Sequence, residues 1–379
     1  MTDVLPDARA ARPPEPATDR ALRRAGRRGR ASDRYPLPVV ARVTLSDVAR
    51  QAGVSLATAS RALNGSSNRT VQPALRERVV AAAAELRYAP DANAQAMARG
   101  ATTSVGLVVH DIADPYFSTI AAAVTRAADR VGLHVTLAST QNEADREIEL
   151  VALMQRLRAR AVIVAGGRLA DPDREERLRA ALLDLQAGGA SVALVGQPLD
   201  GVDSVVIDNA GGARDLALAL WGLGYRRAAI LGGPTDRLTA QNRRDGFVTA
   251  WAGAGGRIDP ADVVHGAFTW EGGAEAMTTL LRTRPRPEVV FAANDVMALG
   301  ALSAARALGV RVPEDVAVAG FDDIATLRDV VPGLTTVRIP LDEAGEAAAE
   351  LALTPRGDEV RATEIRTEVV LRDSTPPRG

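Results

Sequence analysis

The sequence predicts a small all-α head followed by a doubly wound α/β body with strands enough for two sheets, and three observations predict it. Between Val43 and Leu86 the apolar residues recur at helical spacing, in short runs broken by a glycine and by polar capping residues. From Ser104 onward short continuous apolar runs alternate with Ala- and Leu-rich helices, the pattern of parallel strands covered on both faces. Charge divides at the same place. Residues 1–102 carry 17 Arg against 9 Asp and Glu, whereas the rest carries 29 Arg against 38 acids. A basic front on an acidic body suits a chain whose first part meets a polyanion.

Composition narrows the function classes. The 379 residues suffice for two or three domains with sizeable cores. There is no cysteine, which excludes disulfides, thiolate metal sites and cysteine nucleophiles. No apolar run approaches the roughly 18–20 residues that span a bilayer, and the N-terminus lacks a signal-peptide core. The expected location is therefore the cytoplasm, with no membrane partner. All 46 basic residues are arginine, which reads as codon bias.

Residues 1–42 are rich in Ala, Arg and Pro without hydrophobic periodicity, and read as a disordered tail. The segment VTLSDVARQAGVSLATASRALNG (43–65) reads as two short helices and a tight turn. Thr44 is the expected N-cap, with Asp47 closing a capping box. Val48, Ala49 and Ala52 share one face. Gly53 suits a turn that a side chain would obstruct, and Ser55 can cap a second helix from Leu56 to Asn64. Ala59 and Leu63 point inward, while Leu56, Ala57, Ser60 and Arg61 face elsewhere. This is the helix-turn-helix pattern, which places its second helix in the DNA major groove. An αα-hairpin within a helical domain is the other reading. If DNA is bound, the contacts fall on Thr44, Ser55, Leu56, Ala57, Thr58, Ser60, Arg61 and Asn64. A third helix from Pro73 to Leu86 closes the head through Leu75, Val79 and Leu86, and Tyr88-Ala89-Pro90 ends it.

The words TLSDVA, AGVS, TASRALNG and RERVVAAAAELRYAPDANAQAMARG closely resemble the LacI/GalR family of bacterial transcription regulators, and the resemblance runs from Val43 to about Asp373. It implies that residues 91–103 hold a hinge helix that orders on operator DNA, with Asn93, Ala94 and Met97 at the DNA and Met97 as an apolar minor-groove wedge. Most relatives carry Leu at that position. It also implies that the body consists of two periplasmic-binding-protein-like lobes. Their expected extents are 104–206 with 338–353, and 207–337 with 354–373, around a cleft.

The body's apolar runs are VGLVV (105–109), LHVTLA (133–138), AVIVAG (161–166), SVALVG (191–196), SVVID (204–208), AAILGG (228–233), EVVFAAN (288–294) and VAVAGFD (316–322). Ligands of open α/β sheets sit beyond the carboxyl ends of strands. His110 follows the first run and leads into Asp114, Tyr116 and Phe117; Asn294 and Asp322 end later runs. Each has a bland alternative, helix capping for Asn294 and Asp322 and core packing for Phe117. Together they make a polar cluster with aromatic neighbours, suited to a hydroxylated ligand. The resemblance adds Arg243 as an effector-gripping arginine and Trp270 as a stacking aromatic. Gln241 stands where some relatives carry a further arginine, which argues against a strongly anionic effector.

No phosphate loop, GxSxG, HExxH or GxGxxG motif occurs, and His110, His134 and His265 lack metal-ligand spacing. Neither catalysis, nor a cofactor, nor a metal is expected. The resemblance implies a homodimeric regulator of a near-palindromic operator, a repressor answering to a small carbohydrate, with a purine corepressor as the alternative within the family. A solute-binding protein would account for the body but not for residues 43–100. No leucine heptads follow VVLRDST, so no C-terminal coiled-coil tetramer is expected.

Overall fold

The structure, a computed structural model, describes residues 43–64, 71–89, 102–143, 145–283, 286–357 and 359–378. These fall into two units that divide between Pro90 and Asp91. The tail (1–42) and the hinge segment with Asn93, Ala94 and Met97 lie outside the described residues.

The head is three helices, α1 (Leu45–Ala52), α2 (Leu56–Asn64) and α3 (Pro73–Glu85). Thr44 and Asp47 form the expected capping box, the Thr44 N–H donating to Asp47 Oδ2 at 3.0 Å. Gly53 ends α1 in the left-handed region at φ 64°. Ser55 Oγ accepts the Thr58 N–H at 3.1 Å and starts α2. The core is built from small residues, Val48, Ala49, Ala52, Ala59, Ala62, Val79, Ala82 and Ala83, with Leu63, Leu86 and Tyr88 packed at its edge. Ala62, Ala82 and Ala83 take the interior places that Leu75 was expected to share; Leu75 is only half-buried. With so small a core, side-chain ties between helices matter. Gln51 bonds Glu85 at 2.6 Å, and the Arg78 guanidinium caps the Ala52 carbonyl at the end of α1.

In the body each expected strand forms: β1 (Ser104–Val109), β2 (His134–Ser139), β3 (Ala161–Ala165), β4 (Ser191–Gly196), β5 (Asp203–Ile207), β6 (Ala228–Gly232), β8 (Val289–Ala292) and β9 (Ala317–Ala319). Four more join them: β7 (Val263–His265), β10 (Thr336–Arg338), β11 (Ala362–Ile365) and β12 (Glu368–Val370). The helices between are α4 (Pro115–Arg130), α5 (Arg146–Arg156), α6 (Pro172–Ala187), α7 (Asn209–Gly222), α8 (Leu238–Gly253), α9 (Trp270–Thr283), α10 (Asp295–Ala307) and α11 (Leu341–Leu353).

The first lobe holds a parallel sheet in the order β11-β5-β4-β3-β1-β2, and the second a parallel sheet β7-β6-β8-β9. Central strands β3, β6 and β8 are buried at every position, which is why they read as unbroken apolar runs. β10 and β12 pair antiparallel as a separate ribbon.

One boundary differs from the expectation. Residues 354–373 were assigned as a whole to the second lobe, but Ala362–Ile365 pairs in parallel with β5, from Ala362–Ser204 to Ile365–Ile207. The physical cause is local. α11 packs against α4 and over β4 and β5, which delivers the chain to the free edge of β5. Arg361 then donates to the buried Asp203 carboxylate at 2.9 and 2.6 Å. Only the following strand, Glu368–Val370, turns away to β10.

Candidate functional site

A cavity of about 380 Å³ lies between the lobes, beyond the carboxyl ends of the strands. The first lobe contributes His110 and Asp111 after β1, then Asp114, Tyr116 and Phe117 at the start of α4, with Asn142 and Gly167. The second contributes Arg237, Thr239 and Arg243 from α8 and the turn before it. Phe268 and Thr269 come from the loop after β7, and Asn294 and Asp322 from the ends of β8 and β9. Seven of the eight residues expected at the cleft line this cavity.

Arg243 is the centre of the polar set. Its Nε donates to Asn209 Oδ1 and its Nη1 to the Ala293 carbonyl, both at 2.8 Å, and its guanidinium lies 3.9 Å from the Phe321 ring centroid. Its Nη2 stands 2.8 Å from Asp322 Oδ1. That approach is a charge contact between two side chains almost wholly withdrawn from water. Burial pushes the Asp322 carboxyl up to about 7 against the lowering influence of Arg243, and the nearby Asp114 adds to the rise. The Asp114 carboxyl is likewise raised, first by burial. It caps α4 by accepting the Tyr116 N–H at 2.9 Å.

Asp322 is held in place by a residue that the sequence left without a role. Asp295 is fully buried; its carboxylate accepts from Thr336 Oγ1 at 2.6 Å and from the Ile324 N–H at 3.1 Å, and its own N–H donates to the Phe321 carbonyl at 2.8 Å. These bonds pin the Phe321–Ile324 loop, in which Asp322 has φ 120° and Asp323 has φ 56°. Non-glycine residues seldom adopt such dihedrals, and surrounding bonds must over-determine them. The two carboxylates consequently part. Asp322 faces the cavity, and Asp323 bonds Arg338 and Arg372 at 2.8 and 2.6 Å.

The bland readings also operate. Asn294 caps α10 by accepting the Met297 N–H at 2.9 Å, and Phe117 belongs to the main hydrophobic core. Tyr116 and Phe117 meet edge to face at 4.9 Å, and His110 tilts against Phe117 at 5.4 Å.

Trp270 is the exception. It opens α9, is 44% exposed and lies outside the cavity, where Phe268 stands instead. The two aromatics are separated by one residue in AFTW, and only the start of α9 decides which one turns inward. Arg237 was also missed. It precedes α8 and borders the cavity, whereas Gln241 bonds the Thr235 carbonyl and does not reach it. The inference drawn from Gln241 against anionic ligands therefore loses its basis.

On the head, Leu56 is 51% exposed, Ala57 is exposed, and Thr58, Ser60 and Arg61 are half-buried. Arg61 Nε donates to the Ala57 carbonyl at 2.9 Å, laying the guanidinium along the outer face of α2. The side chain of Asn64 lies outside the described residues.

A helix-turn-helix head on a two-lobed, periplasmic-binding-protein-like body defines a DNA-binding transcription regulator. Residues 44–91 match the family model for bacterial regulatory proteins of the lacI family, and residues 217–375 match that for the periplasmic binding protein-like domain. The HTH-type transcriptional regulator GalS of Salmonella typhimurium is 35% identical over 313 residues, spanning 82% of this chain and 89% of that protein. The HTH-type transcriptional repressor PurR of Proteus mirabilis is 32% identical over 339 residues, 87% of this chain and 96% of the other. Among solved structures, a CelR–cellobiose complex superposes with a TM-score of 0.64 at 33% identity, over 88% of this chain and 100% of that one. The lac repressor dimer bound to operator and an anti-inducer gives 0.74 at 26% identity, over 88% and 99%. The chain belongs to the LacI family of bacterial transcription regulators.

Proposed function

We propose that this protein is a repressor that binds a near-palindromic operator as a homodimer and is controlled by a small carbohydrate in the interlobe cavity. The observation that carries the ligand reading is the buried Arg243–Asp322 pair, set beside Asn294 in the lining of the interlobe cavity with aromatic residues around it. A sugar hydroxyl can donate to a carboxylate and accept from a guanidinium, and Tyr116, Phe117 and Phe268 supply apolar walls for the ring faces. The cavity volume falls within the range of about 300–1,000 Å³ common for small-molecule sites. The cellobiose complex of a similar regulator supports the same class.

The outer face of α2 supports reading of base edges by Leu56, Ala57 and Arg61, with Thr44, Ser55, Thr58 and Ser60 toward phosphates. Such a regulator acts in the cytoplasm, on the nucleoid. Dimer binding is supported by the lac repressor dimer on its operator. A ligand that fits only one lobe arrangement would shift the population of DNA-competent dimers. The test is a calorimetric and thermal-shift screen across neutral sugars, sugar acids and nucleobases, followed by operator binding with each hit. Binding of a nucleobase alone would overturn the carbohydrate reading and leave the cleft assignment standing.

A further inference from the structure

Beside the cavity, a short stretch of the first lobe pairs with the turn that leads into α8 of the second. The Leu238 N–H donates to the Arg168 carbonyl at 2.9 Å, and the Ala170 N–H donates to the Asp236 carbonyl at 2.7 Å. Leu169 and Arg237 between them form an antiparallel bridge. Side chains reinforce the backbone pairing. Arg237 reaches over to donate to the carbonyls of Gly167 at 3.1 Å and Asn142 at 3.3 Å. Gln197 of the first lobe accepts the Arg168 N–H at 3.0 Å and donates to Thr239 Oγ1 of the second at 2.9 Å. The approach is close enough that a Cβ on Gly167 would collide with Thr239.

We propose that the pairing of residues 167–170 with 236–239 is a latch by which the chain's own residues hold the two lobes together, with Arg237 as its principal side-chain tie. The reasoning is one of bond accounting. Leu238 is the first residue of α8, so its N–H has no partner within its own helix. Its bond to Arg168, like that of Ala170 to Asp236, exists only while the lobes are together. Arg237 is half-buried with carbonyls as its cross-lobe acceptors, and separation of the lobes removes both. Because Arg237 also borders the cavity, latch and cavity share a side chain. The regulatory meaning of that sharing rests on the cavity being the effector site, but the latch itself does not.

The experiment is hydrogen exchange by mass spectrometry on the ligand-free, full-length protein, which requires no effector. In the wild type the Ala170 and Leu238 amides should exchange slowly. In Gly167→Val, and separately in Arg237→Met, both should exchange at least about tenfold faster, because local opening governs such amides. Amides inside β1 and β6 should keep wild-type rates in both variants, which shows that each lobe is still folded. Wild-type amides at 170 and 238 that exchange as fast as exposed loops would overturn the latch. Slow exchange that survives both substitutions would overturn it as well, since the pairing would then not depend on cross-lobe contact. Failure of either kind leaves the carbohydrate reading intact, because that is decided by ligand titration.

Discussion

Arg243 and Asp322 face each other at 2.8 Å in the floor of the cleft, and neither can be removed without stranding the other. The guanidinium is tied to Asn209 and Ala293, and the carboxylate is fixed through the loop that Asp295 pins. Leaving one charge of a buried pair alone costs about 3–5 kcal/mol. Asp322→Ala and Arg243→Ala should therefore abolish ligand binding measured by calorimetry and lower the thermal midpoint. Operator affinity without ligand should persist in either variant, as the head is unchanged. Retained wild-type ligand affinity in both would remove the pair from the site.

Protonation of Asp322 gives a pH signature. Its carboxyl is raised from 3.8 to about 7, so between these values the folded protein holds a proton that the unfolded chain has released. The resulting stability is present below 3.8 and is lost as pH rises through about 7. The thermal midpoint should fall with rising pH across this window, and Asp322→Asn should flatten that fall. A residual slope should remain in the variant because burial raises the Asp295 carboxyl in the same direction. An equal slope in wild type and variant would show that Asp322 does not titrate there.

The aromatic assignment can be tested by a paired comparison. Phe268→Ala should weaken the ligand identified in the screen by about tenfold or more, equivalent to about 1.4 kcal/mol of lost contact. Trp270→Ala should leave that affinity unchanged, since its ring lies outside the cavity. Titration of the two variants against the same ligand decides the matter. The reverse order of effects would restore Trp270 as the stacking residue.

Arg61 lies along the outer face of α2, its Nε donating to the Ala57 carbonyl. Its remaining donors suit the O6 and N7 edge of guanine. Arg61→Ala should cost about 1–3 kcal/mol on operator DNA and relax preference at one position of each half-site. The same loss on random duplex would reduce Arg61 to a phosphate contact. Competition binding against single-base operator variants separates these outcomes.

Gly53 controls the turn between α1 and α2. At φ 64° an alanine there carries left-handed strain, and its Cβ would stand 3.0 Å from the Arg78 guanidinium that caps α1. Gly53→Ala should destabilise the head by about 1–2 kcal/mol. The loss should show as a lower unfolding midpoint for tryptic protection of residues 43–89, with the body's main thermal transition unmoved.

The sequence by itself determined what short-range chemistry controls. The capping box of Thr44 and Asp47, the turn at Gly53, the extent of α2 and the buried parallel strands all depend on residues within a few positions of each other. So did the placing of His110, Asn294 and Asp322, because strand ends are where open α/β sheets present side chains. Tertiary structure decided the rest. Phe268 and Trp270 are equivalent in spacing and differ only because α9 begins between them and turns the second away. Arg237 looked like an ordinary turn residue until the first lobe brought the Gly167 and Asn142 carbonyls to it. Ala362–Ile365 joined the first lobe because α11 carried it to the open edge of β5, where Asp203 waited for Arg361. Asp322 reads as one of two adjacent acids; a buried Asp295 nearly thirty residues earlier holds it in a dihedral it would not adopt alone. Such outcomes depend on segments far apart in the chain, where the energy of a contact exists only once the fold has brought its two halves together.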